Sequence, residues 1–414
     1  MKKFLALILA LVMALSLVAC GGGTTTDDKT SDDQTPSDAD GAKVKVGFIT
    51  LHDENSTYDL NFINGAKEAI AALGLTEDDY ILKTNVPEGQ ECYEAAVDMV
   101  DKGCNIIFAD SFGHEPYMIQ AAQENPDVQF CHSTGTRAHT EGLANYHNAF
   151  ASIYEGRYLA GVAAGMKLNA MIEAGEIKAE EAKMGYVGAF TYAEVVSGYT
   201  SFFLGARSVC PSVTMDVTFT GSWYDEALEK EGAQKLIDGG CKLISQHADS
   251  LGAPTACENA KVPNVSYNGS TIEAAPNTYI ISSRINWAPY YQYAIQCVID
   301  GKDIDADWTG TLATGSVVLT DLNTAVAAEG TQEAIDAAKA ELEAGTLHVF
   351  DCSKFTVKGE ALTSYKADVD TDDAYTPDTE VVHDGYFSES EFRSAPYFDL
   401  QIDGINLLDT NFGG

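Results

Sequence analysis

The chain has 414 residues, 45% of them hydrophobic, and its 62 Asp and Glu against 25 Lys and Arg give a formal net charge of −37 at pH 7. Such an acidic chain is unsuited to bind nucleic acid or an anionic lipid surface. The hydrophobic content still suffices for a large core, and the length favours two domains or lobes.

The N-terminus has the order of a secretory signal. A basic start is followed by an apolar run from Phe4 to Ala19, too short to cross a bilayer comfortably, and then by Cys20. We therefore predict a signal peptide at residues 1–19. The tetrapeptide LVAC resembles a bacterial lipobox, which implies acylation of Cys20 and a mature protein anchored on the outer face of the cytoplasmic membrane. Residues 20–41 contain no large apolar side chain, and we predict a flexible tether.

From residue 43 onward, short apolar runs alternate with segments of helical period. The runs predict strands at VKVGFIT, CNIIFAD, DVQFCHS, KMGYVGAF, VTMDVTFTG, CKLISQ, VPNVSYN and TYIISS. The first two helical segments lie at 61–74 and 92–103, and Gly74 and Gly103 are expected to end them. Their predicted core faces are Phe62, Ala66, Ala69, Ile70 and Leu73, and Tyr93, Ala96, Val97 and Val100. Strands that are apolar on both faces indicate an α/β fold with covered parallel sheets.

One pattern occurs twice along the chain. Residues 91–113 and 229–252 each give a helix, a Gly-Cys turn, a buried strand and then Asp-Ser-x-Gly. The repetition predicts two α/β lobes with equivalent strand ends, one bearing Asp110 and Ser111 and the other Asp249 and Ser250. Chance similarity between two units of the same fold type is the alternative.

Polar and aromatic residues collect directly after the predicted strands. Ligands of open parallel sheets bind at the carboxyl ends of the strands, so two such rims facing each other would form a cleft. Phe112, Phe190 and Trp223 would supply stacking rings, and Asp249 a hydrogen-bonding carboxylate. Core packing of the rings and helix capping by the aspartates are the structural alternatives.

Two other chemistries compete with simple recognition. A metal site is suggested by His247 and Asp249 at strand spacing and by acid-histidine pairs at 52–53 and 114–115, but the sequence lacks HExxH, paired CxxC and EF-hand patterns. A hydrolase using His247 and Asp249 is the second, but GxSxG, P-loop and dinucleotide fingerprints are absent. We therefore expect no catalytic residue, metal or cofactor.

Cysteine usage leaves the redox state open. Beyond Cys20 the chain has Cys92, Cys104, Cys131, Cys210, Cys241, Cys257, Cys297 and Cys352, with no CxxC pair. Several lie beside apolar runs, where a thiol is typically a small buried hydrophobe. Export permits disulfides, but an even count does not establish them, and we predict none.

From residue 43 to about 365 the sequence resembles the basic membrane protein family, the purine-nucleoside-receptor-like substrate-binding lipoproteins of ABC transporters. The resemblance lies in the order and spacing of motifs that begin with DSFG at 110–113 and NPDVQFCHSTG at 125–135. The others are YEGRYLAGVAAG (154–165), GYVGAFTYAEVVSG (185–198), LGARSVCP (204–211), TGSWYDEALEKEGAQKLIDGG (220–240), QHADS (246–250) and NWAPYY (286–291). It implies a type I periplasmic-binding-protein fold, with two doubly wound parallel-sheet lobes joined by a three-segment hinge.

The resemblance also implies where the lobes begin and end. Lobe 1 would take residues 42–165 and 286–305, and lobe 2 would take residues 172–285 and 306–365. Residues 366–414 lie beyond the resemblance as a C-terminal extension. Its acidic, proline-containing start predicts an extended segment, and its aromatic end is expected to lie back on a lobe.

Family members bind purine nucleosides or nucleobases, and some branches take other small ligands such as a flavin. Carried over residue by residue, the resemblance implies ring stacking by Tyr58, Phe190 and Trp223, and hydrogen bonding by Asp249. The further matching positions are Ser111, Asn268 and Arg284 for polar contacts, Phe112 and His247 on the two rims, and Trp287 at a crossover. The first loop, HDENSTYDLNF, keeps Asp53 and Tyr58 but departs from the family's spacing, which leaves the ligand open.

The sequence therefore predicts a substrate-binding lipoprotein of an ABC importer that captures a purine nucleoside or nucleobase in an interlobe cleft. Its partners would be the permease and ATPase subunits and the membrane that holds its anchor, and we expect a monomer. The same receptor role for a flavin or sugar, a surface hydrolase, and a sensory or adhesive protein are the alternatives.

Overall fold

The computed structural model describes residues 44–369, 376–410 and 412, which belong to one compact unit. The predicted signal peptide, Cys20 and the tether lie outside the described residues. Each helix of the described residues is too short or too polar to span a lipid bilayer. All eight cysteines after Cys20 are buried as free thiols.

Strands and helices alternate through most of the described chain. The strands of the two main sheets are β1 (Val46–Ile49), β2 (Tyr80–Lys83), β3 (Ile106–Ala109), β4 (Gln129–Ser133), β5 (Tyr146–Ala151), β6 (Lys183–Gly188), β7 (Thr214–Phe219), β8 (Leu243–His247), β9 (Asn264–Tyr267), β10 (Tyr279–Ile285), β11 (Asp307–Gly310), β12 (Val317–Leu319) and, after short hairpins, β19 (Ile405–Leu407). The helices are α1 (Thr57–Ala72), α2 (Gln90–Asp101), α3 (Glu115–Glu124), α4 (Ala138–Glu141), α5 (Ile153–Glu173), α6 (Ala193–Val209), α7 (Glu226–Asp238), α8 (Gly252–Ala260), α9 (Ala288–Asp300) and α10 (Thr331–Glu343). The hairpin strands are β13 (Thr356–Val357), β14 (Glu360–Ala361), β15 (Lys366–Ala367), β16 (Thr379–Glu380), β17 (Val382–His383) and β18 (Tyr386–Phe387).

The two main sheets repeat one topology. The first has the order β11-β5-β4-β3-β1-β2 and the second the order β12-β10-β9-β8-β6-β7-β19. Every pairing in them is parallel except that of β12 with β10. The strands β3 and β8 hold equivalent places, which explains the repeated sequence pattern. The predicted α/β fold with two doubly wound lobes is confirmed, and each sheet has its switch point beside its first strand.

Local packing confirms most of the sequence prediction and corrects one helix. All eight predicted runs contain a strand, and Gly74 and Gly103 follow their helices with φ of +69° and +86°. On α2 the predicted Ala96 is buried, but the other buried residues are Cys92, Ala95 and Met99. Tyr93 and Val100 are only partly buried against this core, and the Tyr93 hydroxyl donates to Glu124 at 2.5 Å.

The chain crosses between the lobes at three places, after β5, after β10 and after β11. The crossing segments are hydrogen-bonded to one another: the Ser152 amide donates to the Gly310 carbonyl at 2.7 Å, and the Asn286 amide donates to the Ser316 carbonyl at 2.7 Å. The Leu312 amide also donates to Glu155 at 2.9 Å. These three adjacent crossing segments form the hinge about which the lobes can rotate.

Two pairings differ from the lobe boundaries that the resemblance implied. Helix α5 packs on α6, α10 and β10, so it accompanies the second sheet although residues up to 165 were placed in lobe 1. Strand β11 pairs with β5 in the first sheet, Asp307 beside Asn148, although residues 306–365 were placed in lobe 2. The crossovers are short, namely residue 152, residues 286–287 and residues 311–316, so a helix or strand directly after one already belongs to the other lobe.

The C-terminal extension lies on the second lobe and reaches the first. Phe350 and Phe398 stack with ring centroids 4.4 Å apart, and β19 adds a parallel strand beside β7. The Ser394 amide donates to Asp307 of the first sheet at 2.9 Å. Its aromatic end thus packs on the folded unit as expected, while residues 370–375 of its acidic start lie outside the described residues.

Candidate ligand-binding site

A narrow cavity lies between the carboxyl ends of the two sheets, and water-sized spheres can be centred in only about 20 Å³ of it. Its lining residues are Leu51, His52, Tyr58, Asp59, Ser111, Phe112, Thr134, Glu194, Trp223, His247, Asp249 and Asn268. Three of them are carboxylic acids and none is Lys or Arg, so a bound ligand meets acceptors and rings instead of cations.

The fold delivers these residues from strand ends in both lobes. Thr134 directly follows β4, and Asn268 directly follows the equivalent strand β9. Both have left-handed backbone conformations, with φ of +74° and +65°. A threonine is rare in this region, and such strain collects at ligand sites because the surrounding structure must hold it.

The first-lobe wall is built on the N-terminus of α1. The Tyr58 hydroxyl donates to the Asp110 carbonyl at 2.8 Å, which ties α1 to the end of β3. Asp59 accepts bonds from the His52 amide at 2.8 Å and the Ser56 hydroxyl at 2.5 Å. Burial alone would raise the pKa of Asp59, but the hydrogen bonds from His52 and Ser56 outweigh it and lower that pKa. The cavity therefore contains one carboxylate held in its ionised form.

The second-lobe wall pairs acids with an amide and an imidazole. The Asn268 side-chain amide donates to Asp249 Oδ1 at 3.3 Å, and His247 Nε2 lies 3.4 Å from Glu194 Oε1. Burial, followed by the charges of Asp59 and Glu229, raises the pKa of Asp249 well above its ordinary value. Burial lowers the pKa of His247 against the opposing effect of Glu194. Asp249 and His247 thus both favour their neutral forms.

A chain of aromatic rings runs from the first lobe into the second. Phe112 and Tyr192 have ring centroids 5.1 Å apart, and Tyr192 and Trp223 have centroids 6.0 Å apart. Phe190 packs edge to face on Trp223 at 4.9 Å. These separations are typical of favourable aromatic pairs, and they fix the orientation of Trp223 at the cavity wall.

Hydrogen bonds also join the two lobes beside the cavity. The Thr57 amide donates to the Asp249 carbonyl at 3.1 Å, and the Asn61 side chain donates to the Asn268 carbonyl at 2.6 Å. Both donors belong to α1, and both acceptors follow strands of the second sheet. The lobes are therefore closed on the cavity in this structure.

The structure brings seven of the eleven predicted residues to this cavity: Tyr58, Ser111, Phe112, Trp223, His247, Asp249 and Asn268. Ser111 lines the cavity, and its hydroxyl donates a hydrogen bond to Glu88 Oε1 at 2.5 Å. Phe190 stands one ring further out, against Trp223.

The other three predicted residues lie elsewhere for identifiable reasons. Asp53 organises its own loop, accepting bonds from the Asn55 amide at 3.1 Å and the Asn85 side chain at 3.3 Å. Arg284 is on β10, where burial lowers the pKa of its guanidinium against the opposing charge of Glu68 on α1. Trp287 is core: it is 1% exposed and stacks on Phe62 at 4.4 Å.

Sequence reasoning missed five lining residues, namely Leu51, His52, Asp59, Thr134 and Glu194. Leu51, His52, Asp59 and Thr134 occupy strand-end or helix-start positions in rim segments, so the topology could have indicated them. Glu194 also lies in a rim segment, in the first turn of α6, which begins at Ala193.

The geometry gives no support to the competing chemistries. Among the described residues, no group of three or more His, Cys, Asp or Glu side chains could hold a metal ion. Ser250, the serine beside Asp249, is fully buried, and its hydroxyl accepts the Gly252 amide at 3.0 Å. The cavity therefore offers His247 no serine nucleophile from its own loop.

Comparison with known proteins agrees with this geometry. The family described as ABC transporter substrate-binding protein PnrA-like (Bmp) matches residues 48–345. A purine-binding protein of Brucella abortus is 32% identical over 262 residues, 63% of this chain and 70% of that protein. A putative ABC transporter glucose-binding protein of Haloferax volcanii is 31% identical over 294 residues, 70% of this chain and 69% of that protein. A solved ABC transporter solute-binding protein of Conexibacter woesei shares the fold, with a TM-score of 0.59, 21% identity, and coverage of 74% of this chain and 98% of its own.

Proposed function

The chain belongs to the Bmp family of PnrA-like ABC transporter substrate-binding proteins, and on that premise we propose that it captures a purine nucleoside or nucleobase between its lobes and delivers it to a permease. The solute-binding role in an ABC transporter follows from the family itself. The single observation that carries the substrate class is the meeting, in one small cavity, of the Phe112 and Trp223 rings with the Asp249 carboxyl and the Asn268 amide.

The cavity suits a planar ligand that is rich in hydrogen-bonding groups. Aromatic rings stack on heterocycles, and the neutral Asp249 carboxyl can both donate to a ring nitrogen and accept from an amine. Asp59, held ionised, accepts from hydroxyl or amino groups. Because no lining residue is cationic, a phosphate would lack a counter-charge and would face three acids. The proposal therefore favours nucleosides and bases over nucleotides.

Binding would proceed by closure of the lobes about the three-segment hinge. The hydrogen bonds from Thr57 and Asn61 to the second lobe form only when the lobes approach, and they would seal the ligand from water. Opening at the permease would break them and release the ligand. The protein would act stoichiometrically, without turnover of the bound molecule.

A sugar is the second candidate, favoured by one specific observation. Three carboxyl groups line the cavity, those of Asp59, Glu194 and Asp249. Such groups accept hydrogen bonds from the hydroxyls of a sugar. The name of the Haloferax volcanii relative, a putative glucose-binding protein, agrees with this candidate.

Thermal unfolding against a ligand panel tests the substrate class. A ligand present at about one hundred times its dissociation constant should stabilise the protein by about 2.7 kcal/mol. We expect stabilisation by purine nucleosides or nucleobases and none by glucose or riboflavin. Trp223→Leu should abolish the shift, whereas Trp308→Leu, which alters a tryptophan packed on Tyr290 away from the cavity, should preserve it. Stabilisation by glucose alone would overturn the purine assignment in favour of the sugar.

We further propose that Cys20 is acylated and holds a monomeric receptor on the outer face of the cytoplasmic membrane. The support is the signal-like sequence before Cys20 and the extracytoplasmic role of the family. Cys20→Ser should move the protein from the membrane fraction to the medium. Retention of that variant in washed membranes would contradict anchoring through Cys20.

A further inference from the structure

The family match ends at residue 345. The last described residues of the chain lie beyond it in sequence and pack against the loops that border the cavity. Strand β19 pairs with β7, and the Leu408 amide continues the ladder by donating to the Val217 carbonyl at 2.8 Å. We call residues 405–410 and 412 the C-terminal brace. Because its direction is parallel to β7, it leaves the sheet at the same carboxyl edge as the cavity loops.

Asp409 is hydrogen-bonded to the end of β7, where the chain enters a loop beside the cavity. Its carboxylate accepts the Thr218 hydroxyl at 2.5 Å, the Phe219 amide at 2.8 Å and Lys235 Nζ at 2.9 Å. Trp223 lies four residues further along that loop. The Trp223 carbonyl in turn accepts the Asp249 amide at 3.0 Å, so the same loop also fixes the start of the Asp249 segment.

Phe412 holds the second aromatic loop. Its carbonyl accepts both the amide and the hydroxyl of Thr191, at 2.7 and 2.8 Å, and Thr191 lies between Phe190 and Tyr192. Its ring occupies the space that Gly221 leaves free, since a Cβ on Gly221 would be 2.8 Å from Phe412 Cδ1. Gly221 also has φ of +73°, so the glycine serves both the turn and this contact.

We propose that the C-terminal brace is a positioning element for ligand recognition: Asp409 and Phe412 hold the loops that carry Trp223, Phe190 and Tyr192 at the cavity. None of the brace residues lines the cavity. They act through the two loops, so their removal allows the rings to turn away from a stacked ligand. The inference rests on the proposed function for its ligand, whereas the ordering of the loops is independent of which ligand binds.

The chain contains a matched control for Asp409. Asp403 also accepts a threonine hydroxyl at 2.5 Å, from Thr356, and a backbone amide at 2.7 Å, from Gly359, but on the face remote from the cavity loops. Asp409→Asn and Asp403→Asn therefore remove similar charge-assisted hydrogen bonds from the same segment. Asp409 differs from Asp403 in being less exposed and in its contact with Lys235, and Lys235→Met measures the contribution of that contact separately.

Hydrogen exchange of the ligand-free protein is the first readout. Asp409→Asn and Phe412→Ala should increase exchange in residues 189–192 and 219–224, and Asp403→Asn should leave those segments unchanged. In the second readout, Asp409→Asn should speed dissociation of the ligand that stabilises the wild-type protein, on the order of tenfold. The Asp403→Asn variant should release that ligand at the wild-type dissociation rate.

The outcomes separate this inference from the proposed function. Unchanged exchange in both loops for Asp409→Asn and Phe412→Ala would overturn the brace, whatever ligand the protein takes. Equal effects of the Asp409 and Asp403 substitutions on dissociation would also overturn it, because they would reveal general destabilisation. A wild-type protein that binds no purine, with exchange still increased in the two variants, would reject the proposed ligand and support the brace.

Discussion

Asp249 is the side chain in which burial, neighbouring charge and geometry combine most directly. Its side chain is 4% exposed and accepts a hydrogen bond from the Asn268 amide, and it lies near the acidic side chains of Asp59 and Glu229. Burial, followed by the charges of Asp59 and Glu229, raises the pKa of Asp249 well above its ordinary value, which favours the protonated carboxyl as a hydrogen-bond donor. A buried acid of this kind commonly marks a functional site.

Asp249→Ala is therefore expected to weaken ligand binding by about tenfold to a hundredfold, while Asp249→Asn, which keeps a donor and an acceptor, retains more affinity at pH 7. The measurement is titration calorimetry at one pH for both variants. Asp110→Asn is the matched control, because Asp110 occupies the equivalent strand end in the first lobe without lining the cavity. Wild-type affinity in Asp249→Ala would contradict a ligand contact at this residue.

Glu389 provides a test of burial by pH. It is 2% exposed and accepts hydrogen bonds from Ser197 and Ser390, and burial raises its pKa from 4.5 to about 7. An acid that binds its proton more tightly when folded stabilises the protein at low pH, and this contribution is lost as the pH rises from about 4.5 to about 7. The full loss is on the order of 3 kcal/mol.

Glu389→Gln cannot ionise, so the free energy of unfolding of the wild type relative to this variant should fall between pH 5 and pH 8. Urea unfolding at several pH values measures the difference. A pH-independent difference for Glu389→Gln would show that its carboxyl ionises alike in the folded and unfolded chains.

At the scale of elements, the crossing of α5 and α6 depends on glycine. A Cβ on Gly205 would lie 2.0 Å from the Tyr158 carbonyl oxygen, and one on Gly161 would lie 2.1 Å from the Phe202 carbonyl oxygen. These contacts are with backbone atoms, which cannot rotate away. The two helices therefore approach closely only because both positions lack a side chain.

Gly205→Ala should destabilise the protein by about 1–3 kcal/mol, because the helices must separate. Gly232→Ala in α7 is the control: its Cβ would meet Thr218 and Val187 at 3.4 Å, an ordinary contact, and alanine favours the helix by up to about 1 kcal/mol. Denaturant unfolding compares the two. Equal stability of both variants would contradict the account of the α5–α6 crossing.

Periodicity predicted the buried strands but not every element. The runs that became β1 and β3 are apolar on both faces, as is typical of buried parallel strands. Strand β5 was missed because its buried side chains include His147 and Asn148, which are satisfied by Gln129 at 2.8 Å and Glu115 at 3.2 Å. The hydrophobic pattern does not register polar residues that find partners only in the folded chain.

The same limit explains the mixed result at the site. Residues directly after strands, such as Phe112 and Asn268, could be placed because the carboxyl edge of a parallel sheet is a topological property. Trp287 and Arg284 were carried over from family positions at a crossover, and the packing of α9 on α1 turns Trp287 into the core against Phe62. Which way a crossover side chain points depends on contacts between segments distant in sequence.

In the whole molecule, hydrogen bonds beside the cavity contribute to closure of the lobes. The Asn61 side chain donates to the Asn268 carbonyl at 2.6 Å across the lobes, and Asn61 does not line the cavity. Asn61→Ala should therefore leave the site intact and favour opening, which increases the ligand dissociation rate about tenfold.

Stopped-flow measurement of dissociation checks this expectation. Asn169→Ala is the matched control, because Asn169 also donates to a carbonyl, that of Val209, at 2.6 Å, but within the second lobe. The account expects wild-type dissociation in Asn169→Ala. Equal acceleration in both variants would remove the special role of the bond between the lobes.

We propose that this acidic, two-lobed protein is a purine receptor of an ABC transporter. Titration calorimetry with adenosine, guanosine, adenine, guanine, glucose and riboflavin distinguishes this role from the alternatives. The wild-type protein is first freed of carried-over ligand by unfolding and refolding. We expect saturable binding of one purine nucleoside or base per chain, with the ligand recovered unchanged. Saturable binding of glucose or riboflavin with no heat from any purine, or recovery of a cleaved product, would overturn the purine-receptor role.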